Sequence, residues 1–246
     1  MRGDRILLLA MCLTMTTCAP APGARRTTAP EAAAPPAKLA IETPSQRRTR
    51  ALAHLLRLAE KPRLSATDLQ GTFASDRLTT EEGVATLVSG LDSPDADVRD
   101  DARRLLWQLP AEFHPELVRL CPGRHRGLVA QILAGLGPRA AVWMNDLLSW
   151  HAVAEDPLTR LAIFNALGVI APAHPEAQAA FTRGLTDPDA QIRLFAVTYL
   201  IDVPESRPLV ETTLKVLRLS KDRTIAETAR FWQDFLKNSR FARLEK

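Results

Sequence analysis

Asp95, Asp97 and Asp100 crowd the stretch "DSPDADVRDD" (92–101), and the chemistry such a run suggests is cation binding. Their spacing does not follow a calcium loop, which also needs a central Gly and a late Glu. Asp beside Ser and Pro is instead the composition of a helix start, where carboxylates accept from free amides and favour the positive end of the dipole. The five histidines, His54, His114, His125, His151 and His174, are scattered, and two of them precede Pro. "GLG" at 135–137 is followed by Pro138 and reads as a helix end rather than a phosphate loop. The chain has no His-Glu-x-x-His, Gly-x-Ser-x-Gly, Walker loop or Cys-x-x-Cys pair. These residues predict no catalytic site, no metal site, no cofactor and no small-molecule substrate.

Cysteine is the one residue type here with a covalent chemistry to offer. Arg2 and Arg5 precede an apolar stretch from Ile6 to about Met15, small residues, and Cys18. This is the order of an export signal, and it is too short to span a bilayer. Cys12 lies inside it, so only Cys121 remains in the rest of the chain, and no internal disulfide is expected there. Cys121 reads as a small buried hydrophobe. Ending at a Cys, residues 1–18 resemble a bacterial lipoprotein signal, although Met15 and Thr17 stand where that family prefers Leu and a small residue. The resemblance implies diacylation of Cys18. With Ala19 next, it also implies the periplasmic face of the outer membrane. Cleavage after Ala19 or Ala21 would instead give a soluble periplasmic or secreted protein.

Residues 19–50 are rich in Pro and Ala and lack aromatics, which predicts a disordered tether. The Arg run at its end, Arg47, Arg48 and Arg50, reads as solvated. All of the net positive charge lies in residues 1–50, since residues 51–246 carry 24 basic and 25 acidic residues. A nearly neutral domain has no footprint for nucleic acid.

The elements that follow are helices. "DSPDADVR" at 92–99 returns as "TDPDAQIR" at 186–193. In the later copy Asp187 would cap, Pro188 open the first turn, and Ile192, Ala196, Tyr199 and Val203 recur at helical spacing. In the earlier one Ser93 would cap, and Val98, Ala102, Leu105 and Leu109 would line one face. Related copies follow at 156–172, 124–138 and 221–236. Partner helices begin at "TTEEGVATLVSGL" (79–91), where Thr79 and Glu82 form a capping box, and at "HPELVRL" (114–120), 174–185 and 207–219. The unit is a helix pair repeated every 30–34 residues, and such pairs bury their apolar faces by stacking.

The phrase Leu-x-Asp-Pro-Asp-x-x-Val/Ile-Arg, at Leu91–Arg99 and Leu185–Arg193, resembles the HEAT repeat, in the short form also seen in phycobilisome lyase-like proteins. The likeness covers about 79–240 and implies an all-α fold, an α-solenoid of about five helix pairs, with 47–78 as an N-terminal cap helix and connection. It further implies that Arg99, Arg160 and Arg193 pair with turn carboxylates of adjacent repeats, such as Asp92, Asp156 and Asp187, as a structural ladder. Two functions compete: a non-enzymatic envelope scaffold that holds another envelope protein, and an enzyme accessory akin to bilin lyases. Export argues against the second, because bilin attachment occurs where apoprotein and pigment are made.

On a helical wheel Trp107 falls opposite the inner stripe of its helix. The equivalent places hold Leu161, Phe164 and Gly168 in one later copy, and Leu194, Val197 and Ile201 in the next. These apolar positions either pack between adjacent second helices or line a partner groove anchored by Trp107.

Overall fold

A computed structural model of the chain describes residues 42–238. Cys18, the export segment and the tether up to residue 41 lie outside the described residues, as do 239–246. Within them are twelve α-helices and no strand, so the fold is all-α.

Helix α1 (Pro44–Leu56) starts inside the segment expected to be tether. The Gln46 amide donates to Thr43 Oγ1, the Thr43 amide donates to the Gln46 side chain, and Pro44 takes the first helical position. That capping box makes residues 44–50 helical, and Glu42 and Arg50 close an ion pair at 2.8 Å. The expected connection also contains a helix, α2 (Ala66–Ser75), whose box is Ser65 with Asp68.

Five helix pairs follow. They are α3 (Thr80–Gly90) with α4 (Ala96–Trp107), α5 (His114–Leu120) with α6 (Arg126–Gly135), α7 (Met144–Val153) with α8 (Pro157–Ile170), α9 (Pro175–Gly184) with α10 (Ala190–Leu200), and α11 (Arg207–Leu217) with α12 (Arg223–Asn238). Short 3₁₀ turns lead into α5, α6, α7 and α11. The second helix of each pair starts after Asp95, His125, Asp156, Asp189 or Asp222, at intervals of 30, 31, 33 and 33 residues. Each second helix after α4 also packs on the next, α6 on α8, α8 on α10 and α10 on α12.

Two caps differ from the sequence expectation. Asp189, not Asp187, accepts from the free amides of Gln191 and Ile192, because Asp187 already accepts from the Asp189 amide and from Arg160. In the earlier copy Asp95 caps and Ser93 Oγ accepts from the Asp95 amide.

Helix α8 is apolar nearly all round and touches α6, α7, α9 and α10, which makes it the buried centre. An aromatic series crosses these layers: His151 lies 5.4 Å from Phe164, Phe164 4.9 Å from Phe181, and Phe181 4.8 Å from Tyr199. Tyr199 OH donates to Asn165 Oδ1 at 3.0 Å, so the ring is held at both ends. It passes so close to Gly168 that a Cβ there would meet the ring at 2.0 Å.

Gly168→Ala should therefore destabilise the fold by about 1–3 kcal/mol through overpacking. Gly71→Ala in α2, where a Cβ meets nothing within 4 Å, should stabilise it by about 0.5–1 kcal/mol. Thermal melting of the two variants checks the pair, and the signs must be opposite.

Candidate interaction surface

Second helices aligned by their cap residues show three kinds of position. The fifth, eighth and twelfth residues after the cap face the following helix. In α10 they are Leu194, Val197 and Ile201, all buried, with Val197 0% exposed. In α8 they are Leu161, half-buried, Phe164, 0% exposed, and Gly168, closed by Tyr199. In α6, Ala130 and Leu133 at the first two of these places are buried too. A partner groove through Phe164, Leu194, Val197 and Ile201 is thereby corrected, since neighbouring helices already occupy those side chains. Trp107 differs. It is 46% exposed and stands at the end of α4, facing Gly135.

The same flank becomes charged at both ends of the row. In α4 it reads Asp100, Arg103, Trp107, and in α12 it reads Glu227, Arg230, Asp234, every one exposed. A flank that no further helix covers must be solvated, and these residues meet that need.

The arginines of the repeated phrase act on backbone. Arg99 Nη1 donates to the carbonyls of Ser93 at 2.7 Å and Pro94 at 2.9 Å. Arg193 Nη1 does the same to Asp187 at 2.6 Å and Pro188 at 2.9 Å. Neither is bonded to a carboxylate of another repeat, which corrects that part of the expected ladder. Each folds back to satisfy carbonyls of its own turn. Arg160 does both, donating to the Glu155 carbonyl and lying 3.2 Å from Asp187 Oδ1 in the next pair. Asp156 is occupied as the α8 cap, accepting from the Thr159 amide at 2.7 Å. Asp92 accepts from Arg124 Nε and His125 Nε2, both at 2.8 Å, across 32 and 33 residues. The Arg124 hydrogen bonds, with His125 adding to them, hold the Asp92 carboxyl down at about 2.

The second, sixth, ninth and thirteenth positions after each cap lie within a narrow arc of the wheel that meets solvent only in part, since Ala162 and Phe195 are buried and Gly127 lies against Thr159 of α8; in α4 they are Asp97, Asp101, Arg104 and Gln108. From α6 to α12 they are Gly127, Gln131, Ala134 and Pro138; Leu158, Ala162, Asn165 and Val169; Gln191, Phe195, Thr198 and Asp202; Thr224, Thr228, Phe231 and Phe235. Asp202 is the one charge among them. Leu158 is 70% and Phe231 51% exposed, and Val153, Leu209, Val216 and Leu219 are exposed on or beside the first helices. Exposed charge stands on the first helices, at Glu176, Arg183, Lys215 and Arg218, as it does on α4 and α12. Sequence reasoning missed this stripe because it looked for apolar residues, whereas the signal is the absence of charge in one register.

Elsewhere the polar clusters are structural. Asp76, 1% exposed, accepts from His54 Nδ1 at 3.0 Å and Arg50 Nε at 3.3 Å and so ties α2 to α1. Cys121 is buried, and burial pushes its thiol up to about 12, so it stays unreactive at neutral pH. Among the described residues no group of His, Cys, Asp or Glu has the geometry of a metal site. No helix among them is long and apolar enough to cross a membrane.

Two predictions follow from this geometry. Val197→Asp places an unpaired charge in a closed seam and should cost more than about 3 kcal/mol, whereas Leu158→Asp on the stripe should shift stability by less than about 0.5 kcal/mol. Chemical denaturation of both variants measures the difference. The second concerns acid. His114 Nε2 donates to the Leu109 carbonyl at 3.0 Å beneath the Trp143 ring, and burial lowers its pKa below the ordinary value. His151 is lowered as well, by burial first and then by Arg183. A histidine whose folded pKa is depressed leaves the unfolded chain binding more protons in acid. Stability should be full above about pH 6.5 and fall as pH drops from there towards the folded pKa values. His114→Gln should flatten that fall in melting temperature between about pH 7 and 5, leaving the His151 share.

No protein-family model and no curated protein matches the chain. The crystal structure of an engineered protein, a structural-genomics target, aligns over 81% of this chain and 93% of its own at 18% identity with a TM-score of 0.39, too loose a likeness to bear on fold or function.

Proposed function

We infer that the chain is an exported, non-enzymatic scaffold: a HEAT-like α-solenoid tethered to the outer membrane through Cys18, holding another envelope protein against its second-helix face. The observation that carries this reading is the division of the surface. The flanks of α6, α8 and α10 are buried, the α12 flank is charged, and one register from α6 to α12 carries Asp202 as its one charge, with Leu158 and Phe231 exposed in it. Depletion of charge marks the core of protein interfaces more reliably than bulk hydrophobicity does. Repeats that contact only their neighbours present such faces as extended surfaces. Trp107, exposed at the α4 seam, is the candidate anchor at one edge.

The anchor rests on the Arg-flanked apolar stretch that ends at Cys18. Metabolic labelling with a fatty-acid analogue should mark the wild-type protein and not Cys18→Ser. A photo-crosslinking residue in place of Leu158 should then capture one envelope protein that the same residue at Leu209, on the first-helix layer, does not. Equal labelling of Cys18→Ser would sink the anchor, and equal capture from both positions would sink the surface.

A further inference from the structure

The Arg run at 47–50 belongs to the folded domain, and it opens a segment whose charge differs from the rest. Residues 42–64 carry six basic residues, Arg47, Arg48, Arg50, Arg57, Lys61 and Arg63, against Glu42 and Glu60, a net +4. Residues 65–238 carry 18 basic and 23 acidic residues, a net −5. Arg47, Arg50 and Arg57 are exposed and fall within an arc of about 80° on the α1 wheel, spread over about 15 Å of its length. The carboxylates around them are already engaged. Glu42 holds Arg50, and Asp76 holds Arg50 and His54. Asp68 accepts from Lys61 and the Ser65 amide, Glu82 accepts from the Thr79 amide, and Glu81 pairs with Arg119 of α5. Arg48 stands at a groove with Glu81 and Glu82. Among the described residues, Arg47, Arg57, Arg63 and Arg77 are exposed and meet no carboxylate within 4.0 Å, against one such acid in the segment, Glu60.

We propose that this basic cap docks on an anionic phospholipid surface, that of the bilayer holding the chain's own anchor; the inference rests on the Cys18 anchor proposed above. Connectivity selects the occupant. The 24 residues from Ala19 to Glu42 reach at most about 85 Å, and they enter the domain at Glu42, which is bonded to Arg50 within the basic arc. An anchored tether of that reach keeps the cap at a high effective concentration beside one membrane. Shape agrees. The cations are spread along the outside of a helix, and residues 42–64 contain no Phe, Tyr or Trp. Such a surface suits a layer of separate phosphates, whereas a sugar ring or a single small anion needs a concave or stacking site. Charge then sets the orientation. Each Lys or Arg close to anionic headgroups adds about fivefold to membrane partition. The same surface repels the net −5 of residues 65–238. The domain therefore stands on its α1 end, with the helix pairs directed away from the bilayer.

The experiment is flotation of the mature chain carrying Cys18→Ser, which has no lipid of its own, with vesicles of phosphatidylethanolamine alone or with about one third phosphatidylglycerol. The chain should float with the anionic vesicles only, and raising salt from about 0.05 to 0.5 M should release it. Arg47→Glu with Arg57→Glu should weaken binding at least about tenfold with circular dichroism unchanged. Lys215→Glu with Arg218→Glu, an equal change of net charge at exposed positions of α11 and its end, should weaken it less than about twofold. Equal binding to both vesicles, equal weakening by the two double variants, no binding at low salt, or retention on peptidoglycan sacculi or duplex DNA in place of vesicles would overturn the proposal. If vesicles are not bound while Cys18 is labelled and the crosslinker at Leu158 captures its protein, docking fails and the scaffold reading stands. Vesicle binding together with equal labelling of Cys18→Ser removes the anchor and leaves the docking surface.

Discussion

A pair of short antiparallel helices has one apolar flank that the pair cannot bury by itself, and the rest of this fold depends on how that flank is covered. In α8 the flank is Phe164, packed on Phe181 of α9, and Gly168, closed by Tyr199 of α10, with Leu161 half-buried; in α10 it is Val197 with Leu194 and Ile201, all buried. Burying a side chain of this size is worth about 1.5–3 kcal/mol, so three such flanks in series supply much of what a domain of this length needs. The ends must then differ from the middle. Glu227, Arg230 and Asp234 occupy in α12 the places that Leu194, Val197 and Ile201 occupy in α10, and they stop the row.

Turn chemistry fixes where each second helix begins. An Asp caps the free amides, and an Arg four residues later reaches back to the carbonyls before the cap, so donors and acceptors at one helix start are both satisfied locally. Contacts across pairs are fewer and sit at particular seams: Arg160 with Asp187, and Asp92 with Arg124 and His125. Along the interior, Phe164, Phe181 and Tyr199 carry packing from α8 to α10, and the Gly168 surface accepts the last ring.

The helix pairs were legible because their signals are local. The Thr79–Glu82 box, the His-Pro-Glu starts and the Pro-Asp turns each report on a few neighbouring residues. What stayed hidden needed information from elsewhere in the fold. Helix α7 has no side-chain cap, because Trp143 at its start makes no capping bond, and it grows out of a 3₁₀ turn, so nothing in the sequence marks it. The Asp187 cap was misplaced by two residues because Asp187 is drawn off by Arg160, a residue of the preceding pair. Whether Val197 lines a groove or a seam depends on where α12 lies, although the Glu-x-x-Arg-x-x-x-Asp series at the equivalent places of α12 was a readable hint that this flank had a covered form and an uncovered one. Cys18 and the tether lie outside the described residues, so the reading of export rests on sequence alone.

The scaffold reading requires the second-helix face to be open and the helices to follow one another in a row. Distances between spin labels at Gln131, Leu158 and Thr224 measure this directly. An open row predicts separations that grow with helix number, about 20 Å between positions 158 and 224 and about 30 Å between 131 and 224. A separation between 131 and 224 equal to or shorter than that between 158 and 224 would mean that the helices close into a bundle, and would contradict the account.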